Sequence, residues 1–263
     1  MEQIKAHLKT LNLTTMASVL DEELSKTERN KLSASEFMLN LLSNEVEALA
    51  NRRIERRIKE AKFPGEERKL LSSFDFAFQT GIEKEQIMEL ATLNFIKRKQ
   101  GLILAGDSGT GKSHIAKALL LIACQQQYRC RYTTASNMLK ELISGLSDDT
   151  LEVKLRKYVS PEILLIDEVG FDRLEQESSK NASLFFKAID GRYSNGSTII
   201  TSNIDFKDLG DYLGDPVVTT AIVDRMIHHS IIISITGPSW RMHESKKINK
   251  RLKAGTIKKE ERG

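Results

Sequence analysis

A glycine-rich segment at residues 106–113, GDSGTGKS, constrains the fold of this chain more than any other feature. It fits the pattern G-x-x-x-x-G-K-[ST], in which backbone N–H groups surround phosphate oxygens at the start of a helix. The apolar run 101–105 before it predicts a buried parallel strand, and the run 114–123 after it predicts a helix. This order predicts an α/β fold in which helices flank a parallel sheet.

Within this loop, the residue types match the binding of a nucleoside triphosphate. Lys112 is expected to reach the β- and γ-phosphates, and the Ser113 hydroxyl is expected to ligate Mg²⁺. A chance glycine-rich turn is the alternative, which the flanking strand and helix disfavour. The expected nucleotide-binding residues are Gly106, Asp107, Ser108, Gly109, Thr110, Gly111, Lys112, Ser113 and His114.

Two adjacent acids, Asp167 and Glu168, follow the apolar run 163–166. A buried strand that ends in carboxylates places them at the carboxyl edge of the sheet, where ligands bind in open α/β folds. We expect Asp167 to hold Mg²⁺ opposite Ser113, and Glu168 to orient and deprotonate an attacking water. The alternative is an ordinary strand that ends in a solvated acidic turn, and the upstream phosphate loop argues against it.

Three further polar side chains are candidates for the same chemistry. The β-branched run 197–202 predicts another parallel strand, which would place Asn203 beside the two acids, although asparagine also ends strands by forming turns. Arg225 and Arg241 have the side chain suited to a charge-dispersed phosphoryl transition state, and the alternative for each is a surface charge. Glu168, Lys112, Asn203, Arg225 and Arg241 are therefore the predicted catalytic residues.

Taken together, these motifs resemble the AAA+ ATPases, and in particular the IstB-type helper ATPases of bacterial insertion sequences. The DnaC helicase loaders are more distantly similar. The resemblance extends over nearly the whole chain and includes Phe74–Phe76, the loop ending GKSH, LLIDEVG at 164–170, DRMIHH at 224–229 and Ser239–Arg241.

The resemblance implies a role for each motif. The loop 106–113 corresponds to Walker A, Asp167 and Glu168 to Walker B, and Asn203 to sensor 1. Arg225 corresponds to an arginine finger that reaches the nucleotide of a neighbouring subunit, which implies a homo-oligomer with ATP at its interfaces. Arg241 corresponds to sensor 2, but Trp240 precedes it where the family usually has tyrosine, and the chain beyond it is too short for a full helical lid. Whether Arg241 acts on its own subunit's nucleotide stays open.

The chain is predicted to contain three parts: a helical DNA- or partner-binding domain at 1–70, an ATPase domain at 71–243 and a basic, disordered tail at 244–263. Ser33 and Glu36 form a predicted capping box that opens a long helix. Its apolar residues are expected to pack on the first helices; they are Phe37, Leu41, Leu42, Val46 and Leu49. Residues 82–99 are predicted to form one helix that leads into the loop strand.

Basic residues cluster in places that suit a polyanion. Arg52 with Arg56 and Arg53 with Arg57 are like-charged pairs four residues apart, which repel on a helix and suggest an external anion such as DNA phosphate. The alternative is a solvated helix face balanced by nearby glutamates. In helicase-loader relatives, an inserted helical region meets nucleic acid, and here it corresponds to residues 136–159. The predicted DNA-binding residues are Arg52, Arg53, Arg56, Arg57, Lys140, Lys154 and Arg156.

Composition limits the class of protein to which the chain can belong. The net charge is +4, with 40% hydrophobic and 29% charged residues, which is ordinary for a globular protein in water. No apolar run approaches membrane-spanning length, so we expect no membrane association and a cytoplasmic location. Cys124 and Cys130 have no zinc or redox spacing and are expected to be buried thiols.

Three functions are consistent with these sequence features. The favoured one is an ATP-dependent helper of transposition that oligomerises on duplex DNA, selects or remodels the target and engages a transposase, with hydrolysis resetting the complex. A replicative helicase loader would share the core but bind single-stranded DNA and a helicase. A nucleotide-gated architectural protein without turnover would need neither Glu168 nor Asn203.

Overall fold

The computed structural model describes residues 1–64, 68–171 and 180–248, which form two compact units. The first unit is Met1–Arg56, and the second begins at Arg57. The sequence-based boundary at residue 70 stays a prediction.

Three helices make up the first part of the chain: α1 (Glu2–Thr10), α2 (Thr14–Asn30) and α3 (Ala34–Glu60). The predicted capping box opens α3, because the Glu36 carboxylate accepts hydrogen bonds from the Ser33 backbone N–H (2.7 Å) and hydroxyl (2.8 Å). The Ser33 hydroxyl in turn lies 3.3 Å from the Glu36 backbone nitrogen, which donates to it. These bonds satisfy groups that a helix start leaves unpaired.

The core of this first unit differs from the prediction. Met16, Leu20 and Leu41 are buried together, with Phe37 packed against them, but Leu42 and Val46 are exposed. The reason is the helical period: residues 37, 41 and 45 share the inward face of α3, so the inward position one turn after Leu41 is Glu45 rather than an apolar residue. Glu45 is only 2% exposed.

The second unit is built on a parallel sheet, as predicted, which has five strands in the order β2-β3-β4-β1-β5. The strands are β1 (Gly101–Gly106), β2 (Cys130–Thr134), β3 (Ile163–Val169), β4 (Ser197–Ser202) and β5 (Ser230–Ile235). The central strands β1, β3 and β4 are largely buried because helices cover both faces of a parallel sheet.

Eight helices with defined bounds accompany the sheet in the described part of this unit. They are α4 (Lys84–Ala91), α5 (Asn94–Lys97), α6 (Lys112–Gln125), α7 (Ala135–Ser147), α8 (Leu151–Val159), α9 (Lys180–Arg192), α10 (Leu209–Leu213) and α11 (Pro216–His228). Short 3₁₀ turns occupy Leu71–Ser73 and Phe206–Asp208, and residues 240–248 are also helical. The described helices include none long and apolar enough to cross a membrane.

Two predicted segments differ from the structure. The predicted helix at 82–99 is two helices, because Leu93 between them has φ 61°, which a helix cannot continue, while its side chain is buried. The predicted disordered tail begins with residues 244–248, which are helical, since the chain continues the turn that starts at Trp240. The rest of that tail, 249–263, lies outside the described residues.

Candidate functional site

A cavity of about 760 Å³ opens at the carboxyl ends of β1, β3 and β4. Residues 108–113 of the loop form its floor, whereas Gly106 and Asp107 do not line it, and its rim includes Glu168 and Asn203. Residues from 68–79 and from 240–244 complete the wall. The structure therefore brings the loop, Asp167, Glu168 and Asn203 close together. This is expected because parallel strands end at the same edge of the sheet.

The loop adopts a conformation that depends on its glycines. Gly109 has φ 84° and Gly111 has φ 100°, which side-chain-bearing residues rarely adopt. The Lys112 ammonium donates to the carbonyl oxygens of Gly106 (2.6 Å) and Asp107 (2.7 Å). Burial lowers the pKa of Lys112 and nearby Arg241 lowers it further, while Asp107 and Asp167 oppose the shift. Lys112 and Arg241 thus place positive charge in the cavity next to the loop amides.

Asp167 is fully buried and accepts four hydrogen bonds or ion pairs. Its Oδ1 accepts from the Ser113 hydroxyl (2.7 Å) and the Thr201 hydroxyl (2.5 Å). Its Oδ2 accepts from Tyr132 (3.2 Å) and lies 2.9 Å from the Lys117 ammonium. Burial would raise the pKa of Asp167, but the Lys117 charge and these hydrogen bonds outweigh it and lower the pKa below 3.8. The carboxylate is therefore held ionised beside Ser113.

Lys117, Tyr132 and Thr201 were not identified in the sequence, although one signal for Lys117 was present. Lys117 lies four residues after Ser113 on α6, and residues at that spacing share a helix face. The lysine that pairs with the buried acid could have been found from this spacing. Tyr132 and Thr201 reach Asp167 from neighbouring strands, so only the strand pairing reveals them.

A bulge at the end of β3 directs Glu168 into the cavity. Between the pairs Ile166–Ile200 and Val169–Ser202, β3 has one residue more than β4. Glu168 lies in this bulge with φ 63°, and its backbone N–H donates to the Thr201 hydroxyl at 2.9 Å. Asp167 therefore points inward while Glu168 is exposed at the rim of the cavity. Bulges redirect side chains in this way next to many active sites.

The wall formed by residues 68–79 is attached to the loop by aromatic and polar contacts. Phe74 packs against Gly111 so closely that a β-carbon there would lie 2.5 Å from its ring. The His114 Nε2 lies 2.8 Å from the Leu70 carbonyl oxygen, and Gln79 donates to the Thr110 carbonyl at 2.9 Å. His114 lines the cavity, but this contact shows that its imidazole also holds the wall.

Arg241 belongs to the cavity of its own chain. The segment that carries it folds over the loop, because the Trp240 backbone N–H donates to the Gly109 carbonyl (3.0 Å). The Trp240 ring meets Phe78 edge-on with centroids 4.9 Å apart.

Arg225 does not line this cavity. It lies on α11, where its Nε donates to Asp190 Oδ1 at 2.7 Å and its guanidinium lies over the Phe186 ring, 4.7 Å from the centroid. Of the predicted catalytic residues, the structure thus brings Lys112, Glu168, Asn203 and Arg241 together and leaves Arg225 apart.

The predicted DNA-binding residues fall into two groups. Some have acidic partners within their own unit: Arg52 pairs with Glu45 (2.6 Å), Arg57 with Glu60 (3.3 Å) and Lys154 with Asp148 (2.7 Å). For Arg52 and Arg57, the structure thus shows the nearby glutamates of the alternative interpretation. The side chains of Arg53, Lys140 and Arg156 are exposed, and so is that of Arg56, which also has an interaction partner.

The oxygen donors at the loop suit a hard cation. A Ser113 hydroxyl beside an ionised Asp167 matches Mg²⁺, which uses one or two carboxylates and completes its shell with water and phosphate. The described residues hold no group of three or more His, Cys, Asp or Glu side chains that could bind a metal by themselves. Cys124 and Cys130 are free and buried, as predicted.

Comparison with known proteins identifies relatives of nearly full length. The family model described as IstB-like ATP binding protein matches residues 6–248. A Geobacillus stearothermophilus protein, named for ATP binding in insertion sequence IS5376, is 35% identical over 245 residues, 93% of this chain and 96% of the relative. A Pseudomonas aeruginosa protein, named likewise for insertion sequence IS21, is 34% identical over 247 residues, 94% of this chain and 91% of the relative.

Solved structures agree on the fold. The AMPPCP-bound DnaA from Aquifex aeolicus matches with a TM-score of 0.54 at 23% identity, covering 72% of this chain and 56% of DnaA. A DnaC helicase loader matches with a TM-score of 0.50 at 23% identity, covering 64% of this chain and 97% of the loader. With its family model matched from residue 6 to residue 248, this chain belongs to the IstB-like ATP-binding protein family.

Proposed function

We propose that this chain is a Mg²⁺-dependent AAA+ ATPase that assembles on duplex DNA and assists the transposase of an insertion sequence. The observation that carries the ATPase part is the convergence of the 106–113 loop, the Ser113–Asp167 pair, Glu168 and Asn203 on one cavity. A protein that only binds nucleotide needs the loop. It needs neither the exposed Glu168 carboxylate nor the Asn203 amide at the rim of the cavity.

In this proposal, each side chain acts from the position that the structure gives it. The loop amides and Lys112 bind the β- and γ-phosphates, and Arg241 adds positive charge from the same chain. Ser113 and Asp167 would hold Mg²⁺, and the ion would supply positive charge to balance the charge that develops on the phosphates. Glu168 accepts a proton from the attacking water, and Asn203 orients that water against the γ-phosphate.

The position of Arg225 supports hydrolysis in an assembly rather than in a single chain. Its guanidinium lies outside the cavity of its own chain, so it can complete a site only in a neighbouring subunit. An arginine supplied in this way contributes about 10³–10⁵ to the rate in related phosphoryl transfers. ATP would thus bind at subunit interfaces, and turnover would begin after assembly.

The names of the relatives support the DNA-related part of the proposal. Proteins that are 34–35% identical over nearly the whole chain are named for insertion sequences, whose mobile DNA requires a transposase. We propose that ATP binding assembles subunits along target duplex DNA, selects or remodels the target, and presents it to the transposase. Hydrolysis then resets the complex.

The test is DNA binding at fixed salt concentration, because phosphate-driven affinity depends steeply on salt. Wild-type protein and Glu168→Gln are compared on duplex and single-stranded DNA with ATP, ADP or no nucleotide. We expect tight duplex binding with ATP that persists in Glu168→Gln, which binds ATP without hydrolysing it. Preference for single strands would instead indicate a helicase loader, and absence of binding in every nucleotide state would reject both functions.

A further inference from the structure

The Arg225 guanidinium is held from three directions. Its Nε donates to Asp190 Oδ1 at 2.7 Å, its plane lies over the Phe186 ring at 4.7 Å, and Nη1 donates to the Ala221 carbonyl at 3.3 Å. Asp190 and Phe186 are four residues apart on α9 and therefore share one face of that helix. One helix thus supplies both the carboxylate and the ring that hold an arginine of α11.

The geometry leaves the outer end of the guanidinium available. An arginine has five N–H donors, and the Asp190 bond uses only the one at Nε. A bidentate pair would occupy the terminal nitrogens, but within the described residues Nη2 has no hydrogen-bond partner and the Arg225 side chain is 32% exposed. Nη2 is therefore the terminal nitrogen left to meet a phosphate, while the Nη1 bond to the Ala221 carbonyl helps to fix the orientation of the guanidinium.

The contribution of the Arg225–Asp190 ion pair to folding stability is too small to explain why Arg225 is held in this way. The Asp190 side chain is 49% exposed, and ion pairs between exposed groups contribute little to folding because solvent screens them and the side chains lose freedom. The ion pair matters instead because it orients Arg225. A free arginine side chain samples many rotamers, and a mispositioned catalytic group loses much of its effect.

We propose that Asp190, with Phe186 beneath the guanidinium, is a positioning residue that orients Arg225 toward the nucleotide of a neighbouring subunit. This inference rests on the proposed function, since it requires that Arg225 completes a site in another copy of the chain. It adds a role for α9: the helix that packs on α11 sets the direction of the arginine.

The test compares ATPase kinetics of the DNA-stimulated, assembled protein for Arg225→Ala, Asp190→Asn and Phe186→Leu. Asp224→Asn is the matched control, because it removes the same charge next to Arg225, while Asp224 is exposed and forms no hydrogen bond or ion pair with the guanidinium in the described structure. We expect Asp190→Asn to lower kcat about tenfold with KM and Tm unchanged, less than the roughly 100-fold effect that an ångström of misplacement can have. The control should match wild type.

A mixing experiment separates positioning from a merely structural effect. Lys112→Ala subunits cannot hold phosphate in their own cavity but carry an intact Arg225, so adding them to Asp190→Asn subunits should restore turnover. Failure of this rescue, or a lowered Tm in Asp190→Asn alone, would overturn the positioning role.

The remaining outcomes distinguish the inference from the proposed function. Wild-type kcat in Asp190→Asn together with a strongly impaired Arg225→Ala would overturn only the positioning role. Wild-type kcat in Arg225→Ala would overturn both this inference and the assembly-dependent part of the proposed function, while loss of turnover in Glu168→Gln would still support an ATPase.

Discussion

Lys117 illustrates how one side chain controls the electrostatics of the cavity. Its ammonium lies 2.9 Å from the buried Asp167 carboxylate and 5.1 Å from the centre of the Tyr132 ring. A buried carboxylate without such a partner would favour its neutral form, because burial penalises charge. Lys117 therefore keeps Asp167 ionised, which is the form that a divalent cation requires.

Glu45 shows the same principle in the first unit, and it predicts a pH dependence. Burial opposes ionisation of Glu45, but hydrogen bonds from the Met16 N–H (2.8 Å) and Arg52 (2.6 Å) prevail and lower its pKa below 4.5. Because the folded pKa is the lower one, the stabilisation is complete above pH 4.5 and is lost as pH falls through the folded value.

We therefore expect Glu45→Gln to reduce hydrogen-exchange protection of the Met16 amide about tenfold at pH 7, as for loss of a charged hydrogen bond worth about 1.5 kcal/mol. The difference from wild type should shrink as pH falls toward 3. Lys31→Gln, a change at an exposed position, is the control. A difference that stays constant across this pH range would contradict the role of the ionised carboxylate.

At the scale of elements, the wall formed by residues 68–79 supports the conformation of the phosphate loop. Substitution of Gly111 tests this support. Gly111→Ala introduces strain at φ 100° and a β-carbon 2.5 Å from the Phe74 ring. Gly214→Ala is the matched control, because it has φ 79° but nothing within 4 Å of the added carbon. Both should lose about 1–2 kcal/mol of stability from the left-handed backbone.

Only Gly111→Ala should also weaken nucleotide binding, by at least about tenfold, since displacing Phe74 or the loop costs more than about 1 kcal/mol in a packed contact. Titration with a fluorescent ATP analogue measures this affinity. Equal affinities in the two variants would show that the wall does not support the loop.

The elements also show what the sequence could and could not predict. The strands β1, β3 and β4 and the loop were predictable because each is a local pattern of apolar, β-branched or glycine residues. The bulge that exposes Glu168 was not, because it exists only relative to the pairing of β3 with β4. Nor was buried Arg192, whose guanidinium donates to five carbonyl oxygens that belong to residues 158, 159, 161, 162 and 197. Nothing in the local sequence indicates such a set of partners.

At the scale of the whole molecule, the charge distribution matters more than the net charge of +4. Arg52, Arg57 and Lys154 are paired with acids in their own units, so their charge is partly neutralised before any polyanion binds. Exposed Arg53, Lys140 and Arg156 are better placed to contact phosphate. The candidate residues for DNA binding, predicted as one group, therefore differ in how much charge each can offer.

The position of Arg225 leads to a prediction about the assembled protein. A chain whose cavity lacks its own Arg225 should hydrolyse ATP slowly when alone and faster once a neighbour supplies the arginine. The ATPase rate per subunit should therefore rise at least about tenfold as protein concentration increases through the assembly range, a cautious figure for an arginine finger. Arg225→Ala should remain slow at every concentration, even where light scattering shows that it assembles. A rate per subunit that stays the same from dilute, monomeric wild-type protein through the assembly range would mean that each cavity is complete by itself, and that Arg225 has no part in it.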